Sequence, residues 1–522
     1  MRLSFRQAAI ISSVSLLLLG SAFAVGVLPA GGSTPGVASG ASAPELTVPP
    51  NPPSTTPVVG VIATTPVGDL PTFLVQDTAS GLIYVTDQGA DNVTVLRGTS
   101  PIATVPVGTG DEGIAFSSSN GTIYVANYGS ESVTIINGTT VERTLPVGSD
   151  PISPVYDPTD GLVYVPDFGS SSVDILNGTA VLANVTIGEG PVNAIYDPAL
   201  GDVVITSEYS ESESVLSGTT VVESIDTGLV LPDQAVYDAT NGLLYVMNQT
   251  IQPSHGFCPP NCGIHYGSGI AVVIRNSSVV TTVGVGGGPG YATVDTENGW
   301  LYVPDGQTDS VTVLNGTTLV GTVGVGGLPE ASQYDPADGL VYVVDQLTGA
   351  VSVINGTTLI AQPSIGIYPE VTIYDPSNRQ VYVADQGSSQ VSVLGTVTGY
   401  SVQFEETGLP AGTDWSVTYQ GVTRGAATPS ILFYEPNGTF SYFVNPPTGY
   451  VPLTNATGET EISASAQVVH IVFGVASGSG GPAALPWLTL EVGAAVGAGI
   501  AAVLAWAFLT RRTRKRERIG RV

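Results

Sequence analysis

The chain has 522 residues, with 14 basic and 43 acidic side chains and a formal net charge of −29. Of these, 41 acidic but only five basic residues (none of them lysine) lie between Val25 and Ala484. So acidic a region is a poor partner for nucleic acid or anionic membrane surfaces, and a better one for cations or basic surfaces.

At the front, MRLSFRQAAIISSVSLLLLGSAFA (1–24) puts two arginines before an apolar run that ends in small residues. This is the pattern of a secretory signal peptide, with an uncleaved N-terminal anchor as the alternative. Residues 25–57, rich in Pro, Gly, Ser and Thr, are expected to be a disordered linker. A repeat then begins. GLIYVTD at Gly81, GTIYVAN at Gly121, GLVYVPD at Gly161 and GDVVITS at Gly201 recur about every 40 residues. GLLYVMN at Gly242, GWLYVPD at Gly299, GLVYVVD at Gly339 and RQVYVAD at Arg379 continue the series. Each unit reads as four short alternating strands between Gly, Asn and Asp turns, the signature of a propeller blade. A lone outer-strand run, PVVGVIATTPVG from Pro57, precedes the first unit, and none follows the last VSVL at Val391. The N-terminal run is therefore expected to complete the last blade and close the ring. The prediction is an all-β chain with an eight-bladed propeller over 58–397. Seven blades is the alternative, if the degenerate fourth unit merges with a neighbour.

The fifth unit carries one long insertion, SHGFCPPNCGIHYGSG, Ser254 to Gly269. The exterior setting favours a Cys258–Cys262 disulfide across the Pro259-Pro260-Asn261 bend. His255, Cys258, Cys262 and His265 also have the ligand types of a metal site, in a spacing that matches no common zinc module. Residues 398–475 alternate as a small β-sandwich with a buried Trp415, and 476–484 form a flexible linker. LPWLTLEVGAAVGAGIAAVLAWAFL (485–509) is long enough for one transmembrane helix, and its single charge is Glu491. The basic tail 510–522 that follows stays on the cytoplasmic side. The expected arrangement is a single-pass type I protein of the cell membrane, its large part outside.

The unit YVANYGSESVTIINGTT at Tyr124 resembles the YVTN-type β-propeller repeat, and the likeness covers roughly Val58 to Val397. That resemblance implies a cell-surface or surface-layer-like protein of an archaeon or bacterium and leaves its activity open. The segment from Tyr400 is similar to a module found near the membrane in surface proteins of thermoacidophilic archaea. An acidic habitat, in which the carboxylates become neutral, also suits the charge balance. Greater thermal stability at neutral than at acid pH would count against it.

Eleven Asn-x-Ser/Thr sequons are candidate N-glycosylation sites: Asn92, Asn120, Asn137, Asn177, Asn184, Asn248, Asn276, Asn315, Asn355, Asn437 and Asn455. Four of them repeat one NGT turn, and Asn-Gly is itself a favoured two-residue hairpin pair. Arg97 and Ser217 fill the same position elsewhere, so the turn does not require Asn. Acidic residues recur where each outer strand leads to the next inner one: Glu112, Asp233, Glu330 and Glu370, with Asp69, Asp111, Asp150 and Glu189 nearby. A ring of carboxylates at the channel mouth would suit Ca²⁺ or a basic ligand. The aspartates of the YVxD segments, Asp87, Asp167, Asp305, Asp345 and Asp385, are expected to form turns through their own side chains. No catalytic residue is indicated: the ring has one tryptophan, Trp300, and no Cys-x-x-Cys-His haem site. Acid–base chemistry by carboxylate pairs stays open. The expected function is a non-catalytic, membrane-anchored surface propeller for recognition, adhesion or envelope structure, whose partners are envelope proteins or glycans. The alternative is an extracellular lactonase-like hydrolase with a metal at the channel mouth.

Overall fold

A computed structural model describes residues 53–229, 231–251 and 266–476. The signal segment, most of the first linker, His255, Cys258, Cys262, His265, the transmembrane segment and the basic tail lie outside the described residues. Among the described residues no helix is long and apolar enough to cross a membrane.

The described chain is all-β, and its only helical pieces are the single turns Tyr128–Ser130 and Gln386–Ser388. Seven four-stranded antiparallel sheets follow one another, each built from consecutive strands. The first comprises Pro71–Asp77, Leu82–Asp87, Asn92–Arg97 and Ser100–Pro106. The degenerate fourth unit has a sheet of its own, from Pro191–Asp197 to Thr220–Asp226. In the eighth sheet Pro369–Asp375, Gln380–Asp385 and Gln390–Thr407 are consecutive, and the outer place is taken by Thr55–Pro66 from the other end of the chain. The innermost strands touch in series, and the last returns to the first. This closed circuit of four-stranded sheets is a β-propeller.

The pairing that closes it runs from Pro66↔Gln390 to Thr55↔Tyr400. One residue, Ile62, is bulged out of this ladder, between the pairs Val61↔Leu394 and Ala63↔Val393. The same bulge leaves out Ile102, Glu142, Leu182, Val222, Val280, Val320 and Ile360 in the other seven outer strands. The borrowed strand thus has the design of a native outer strand. Bulges twist an exposed edge away from further pairing, which matters in a ring rimmed by edges.

The core lies between sheets. Tyr84, Tyr124, Tyr164, Tyr245, Tyr302, Tyr342 and Tyr382 are buried, each in a YV strand packed against the next sheet. Three of their hydroxyls donate to carbonyls at the neighbouring hairpin tip: Tyr84 to Gly138 (2.9 Å), Tyr124 to Gly178 (3.1 Å) and Tyr245 to Gly316 (3.2 Å). A buried tyrosine needs such a partner for its polar end.

The YVxD aspartates do not form the turns expected of them. All five are fully buried; Asp167 accepts from Ser172 (3.1 Å), and the other four reach seven residues along to the next strand. Thr94 donates to Asp87 (2.6 Å), Thr312 to Asp305 (2.7 Å), Ser352 to Asp345 (2.7 Å) and Ser392 to Asp385 (2.6 Å). The glycine that leads into each sheet packs on this carboxyl; a Cβ on Gly366 would stand 2.5 Å from Asp385. The Gly366 amide also donates to Asp385, at 3.2 Å. Self-capped turns belong instead to the aspartates that end the innermost strands, as when Asp77 accepts from the Ala79 amide (2.9 Å).

Gln390–Thr407 continues past the ring into a second pair of sheets. It pairs there with Ser430–Glu435 and, in parallel, with Gln467–Val472. The facing sheet orders Val422–Ala426, Trp415–Tyr419, Gly438–Asn445 and Thr457–Ile462. Phe404, Tyr419, Phe433 and Tyr442 meet edge to face between the two sheets. Trp415 is buried, as its sequence context suggested, and donates to the Thr428 carbonyl (2.9 Å). Of the described residues, 53–448 and 452–473 make one compact unit. Gly449–Val451 group with residues 474–476, where the Ala476 amide donates to the Gly449 carbonyl (2.9 Å).

Burial is the main cause that lifts the YVxD carboxyls above the usual range. It raises Asp305 and Asp385 to about 6, Asp87 and Asp345 to about 7, and Asp167 to about 8. A raised carboxyl pKa means the folded state holds protons that the unfolded chain has released. Stability is therefore full below about pH 4 and falls as pH rises through 6 to 8, each shifted unit corresponding to about 1.4 kcal/mol. The melting temperature is expected to be higher at pH 4 than at pH 8. Asp385→Asn should flatten part of that slope, since Asn127 already serves this position in the second sheet and accepts from the Gly108 amide (3.0 Å). Calorimetric scans across this pH range check it; a protein more stable at pH 8 would refute it.

Candidate functional site

Strand direction gives the ring two unlike faces. The connection from each outer strand to the next inner strand lies on one face, with the loop that follows each YVxD segment. The hairpins between third and fourth strands lie on the other. The first face is the mouth and the second the tip face. Gln390–Thr407 is a third strand, so it leaves the ring through the tip face, away from the mouth.

At the mouth a concave pocket, partly open to solvent, draws on six consecutive sheets. Phe73, Tyr128, Phe168 and Tyr291 supply aromatic surface, and Glu112, Glu208 and Asp233 supply carboxylates. Phe168 and Tyr209 pack with ring centroids 6.0 Å apart. Burial, with Asp150 and Glu112 nearby, pushes the Tyr128 hydroxyl up to about 12. Burial likewise raises Asp150 above the usual carboxylate range.

Two repeat positions build this rim. One is the residue after YVxD, and the other is the second residue of the next innermost strand. Gln88 donates to Glu112 (2.7 Å) across the first and second sheets, and Gln346 to Glu370 (3.0 Å) across the seventh and eighth. At the equivalent positions of the fourth and fifth sheets stand Glu208 and Asp233, two carboxylates where these two joints pair an amide with an acid. Glu208 is buried at 7% exposure. Sequence reasoning found Asp233 but missed Glu208, Tyr128 and Phe168. The signal was present, as the variable residue that follows each otherwise regular YVxD.

The candidate metal set does not converge. Glu112, Asp233, Glu330 and Glu370 belong to the second, fifth, seventh and eighth sheets, so they are spread around the mouth. Only the first two line the pocket. Among the described residues no group of three or more His, Cys, Asp or Glu side chains is gathered closely enough to hold a metal ion. The reason is the ring itself, which sets equivalent positions around the channel instead of beside one another. Asp111, expected near the mouth surface, is fully buried in the place where other repeats carry proline, and burial raises it to about 7.

The sequons divide by face. Asn137, Asn177, Asn276, Asn315 and Asn355 lie at hairpin tips and are exposed. Asn120 is in an inner loop of the same face. Asn92 and Asn248 are on the mouth side, and Asn248 is buried. Asn184 lies in an outer strand, and Asn437 and Asn455 are in the sandwich.

No protein-family model matches the chain, and no curated protein matches it. Similar solved structures include dihydro-heme d1 dehydrogenase NirN in complex with DHE, at 14% identity and TM-score 0.48, covering 67% of this chain and 83% of that one. Virginiamycin B lyase from Staphylococcus aureus, with quinupristin, is 9% identical at TM-score 0.42, covering 66% of this chain and all of that one. The WD40 β-propeller domain of Doa1 is 8% identical at TM-score 0.42, covering 65% and 97%. Identities of this size concern the fold alone, and the ring rests on its own strand pairings.

The rim arrangement is open to a direct check. Gln346→Glu would set a carboxylate beside Glu370, as at the joint between the fourth and fifth sheets. The expected loss is on the order of 1 kcal/mol near neutral pH and low salt. It should shrink with added salt and at acid pH, where the carboxylates are neutral. Equal melting temperatures for variant and parent in low salt would show that the bridge contributes nothing.

Proposed function

We propose that the chain is a membrane-anchored cell-surface protein: an eight-bladed YVTN-type propeller carried on a sandwich stalk, acting as a non-catalytic binding scaffold. The apolar run 485–509 with its basic flank supports the anchor, and the leader pattern at the N-terminus supports export. The observation that carries the binding reading is the mouth pocket, with three carboxylates from three sheets among four aromatic side chains. Carboxylates attract a cation, and aromatic faces favour one whose charge sits on an apolar body. A concave site of mixed apolar wall and few polar groups is the usual form of a ligand pocket. The ligand class is therefore an organic cation, such as an amine or quaternary ammonium group on a larger surface molecule.

Titration of the protein with benzyltrimethylammonium, followed by calorimetry, tests this. Saturable binding that weakens with salt is expected. Glu208→Gln should weaken it at least about fivefold, the size of roughly 1 kcal/mol. The variant is expected to fold, because glutamine occupies the same position at Gln88 and Gln346. Absence of binding by the parent, or equal binding by the variant, would overturn the reading.

A further inference from the structure

Seven hairpins join third and fourth strands, and their pairings show which residues form the loops. Asn137 pairs with Thr140, Asn177 with Ala180, Asn315 with Thr318 and Asn355 with Thr358. The loop pair is therefore Gly-Thr, and not Asn-Gly as the sequence suggested. Glycine takes the first loop position with φ of 57° at Gly138, 55° at Gly178, 57° at Gly316 and 59° at Gly356. The threonine that follows is outside the left-handed region, so a glycine-first turn serves each hairpin. The asparagine stands before the turn with an ordinary strand φ.

Two hairpins show that this backbone makes no demand for Asn. Arg97 and Ser217 hold the same position, and Gly98 and Gly218 keep φ of 57° and 56°. The tip asparagines and their sequon threonines, Thr139, Thr179, Thr317 and Thr357, are all exposed. The turn that would have explained the NGT pattern structurally does not use it.

Of the tip asparagines, Asn137 donates to the exposed Glu142 (2.8 Å), a surface contact, whereas other sequons are tied into the fold. Asn276 is itself a loop residue at φ 45°. Asn120 accepts from the Thr122 amide (3.1 Å), and Thr122 is buried. Asn184 donates to Ser172 and Asp174 (3.1 and 3.0 Å), and Asn455 to the His470 carbonyl (2.7 Å). Asn248 is 3% exposed.

We propose that Asn137, Asn177, Asn315 and Asn355 carry N-linked oligosaccharide, in a coat confined to the tip face that leaves the mouth bare. The donor class is a lipid-phosphate-activated oligosaccharide. The asparagine Nδ2 bonds to the sugar C1 as the C1–O bond to phosphate breaks. The lipid phosphate leaves with the electron pair, and one amide proton passes to the transferase base. The inference is independent of what the pocket binds.

Glycopeptide mass spectrometry of the full chain, isolated from the cells that produce it, is the test. Sugar mass is expected on the four tip asparagines, with Asn120 and Asn248 unmodified. Asn355→Ser, which copies the residue at Ser217, should lose one glycan mass, and once both proteins are enzymatically deglycosylated its melting temperature should equal the parent's. Bare tip asparagines, glycans on Asn120 or Asn248, or an unchanged glycan mass in the variant would each overturn the proposal.

Discussion

The architecture depends on one antiparallel ladder between segments more than 300 residues apart. Thr55–Pro66 has no sheet of its own, and without it Gln390–Thr407 would present a bare edge in the eighth sheet. Loop-closure entropy grows only slowly with separation, so a long ladder can hold such distant ends together. The shared bulge at Ile62 shows that the borrowed strand obeys the local rules of every other outer strand. Closing the circuit also fixes where the mouth lies, because each rim position is defined by two neighbouring sheets.

A second recurring device ties the sheets internally. Each buried YVxD carboxyl binds a hydroxyl on the adjacent strand and lies against the glycine that brings the chain in from the preceding sheet. A burial this deep suits the neutral form of an acid better than its anion. The acidic composition and this buried set act in the same direction, since self-repulsion of the surface also fades as its carboxylates gain protons.

Much of the ring was legible in the sequence, because period, alternation and the leftover outer strand are all properties of the repeat itself. Trp415 in the sandwich core was legible for the same reason, as a large apolar residue within an alternating strand. The roles of individual polar residues were less accessible. The YVxD aspartates and those that end the innermost strands look alike in sequence, yet one set inserts between strands and the other caps turns. Only the register of neighbouring strands separates them. Likewise NGT suggested an Asn-Gly loop, and the pairing of Asn137 with Thr140 shifted that loop by one residue. At the mouth, Glu112 and Glu370 were visible as acids, while their amide partners Gln88 and Gln346 lie 24 residues away in sequence. Spacing within one repeat cannot show a contact made between two repeats.

The strand shared by ring and sandwich has a mechanical consequence. Tension applied through the sandwich enters the ring along the axis of Gln390–Thr407. Its ladder with Thr55–Pro66 lies parallel to that pull, so the bonds from Pro66↔Gln390 to Thr55↔Tyr400 share the load together instead of opening one after another. Shear of this kind places the ring's closure in the load path. The attachment and the ring would then yield in a single event.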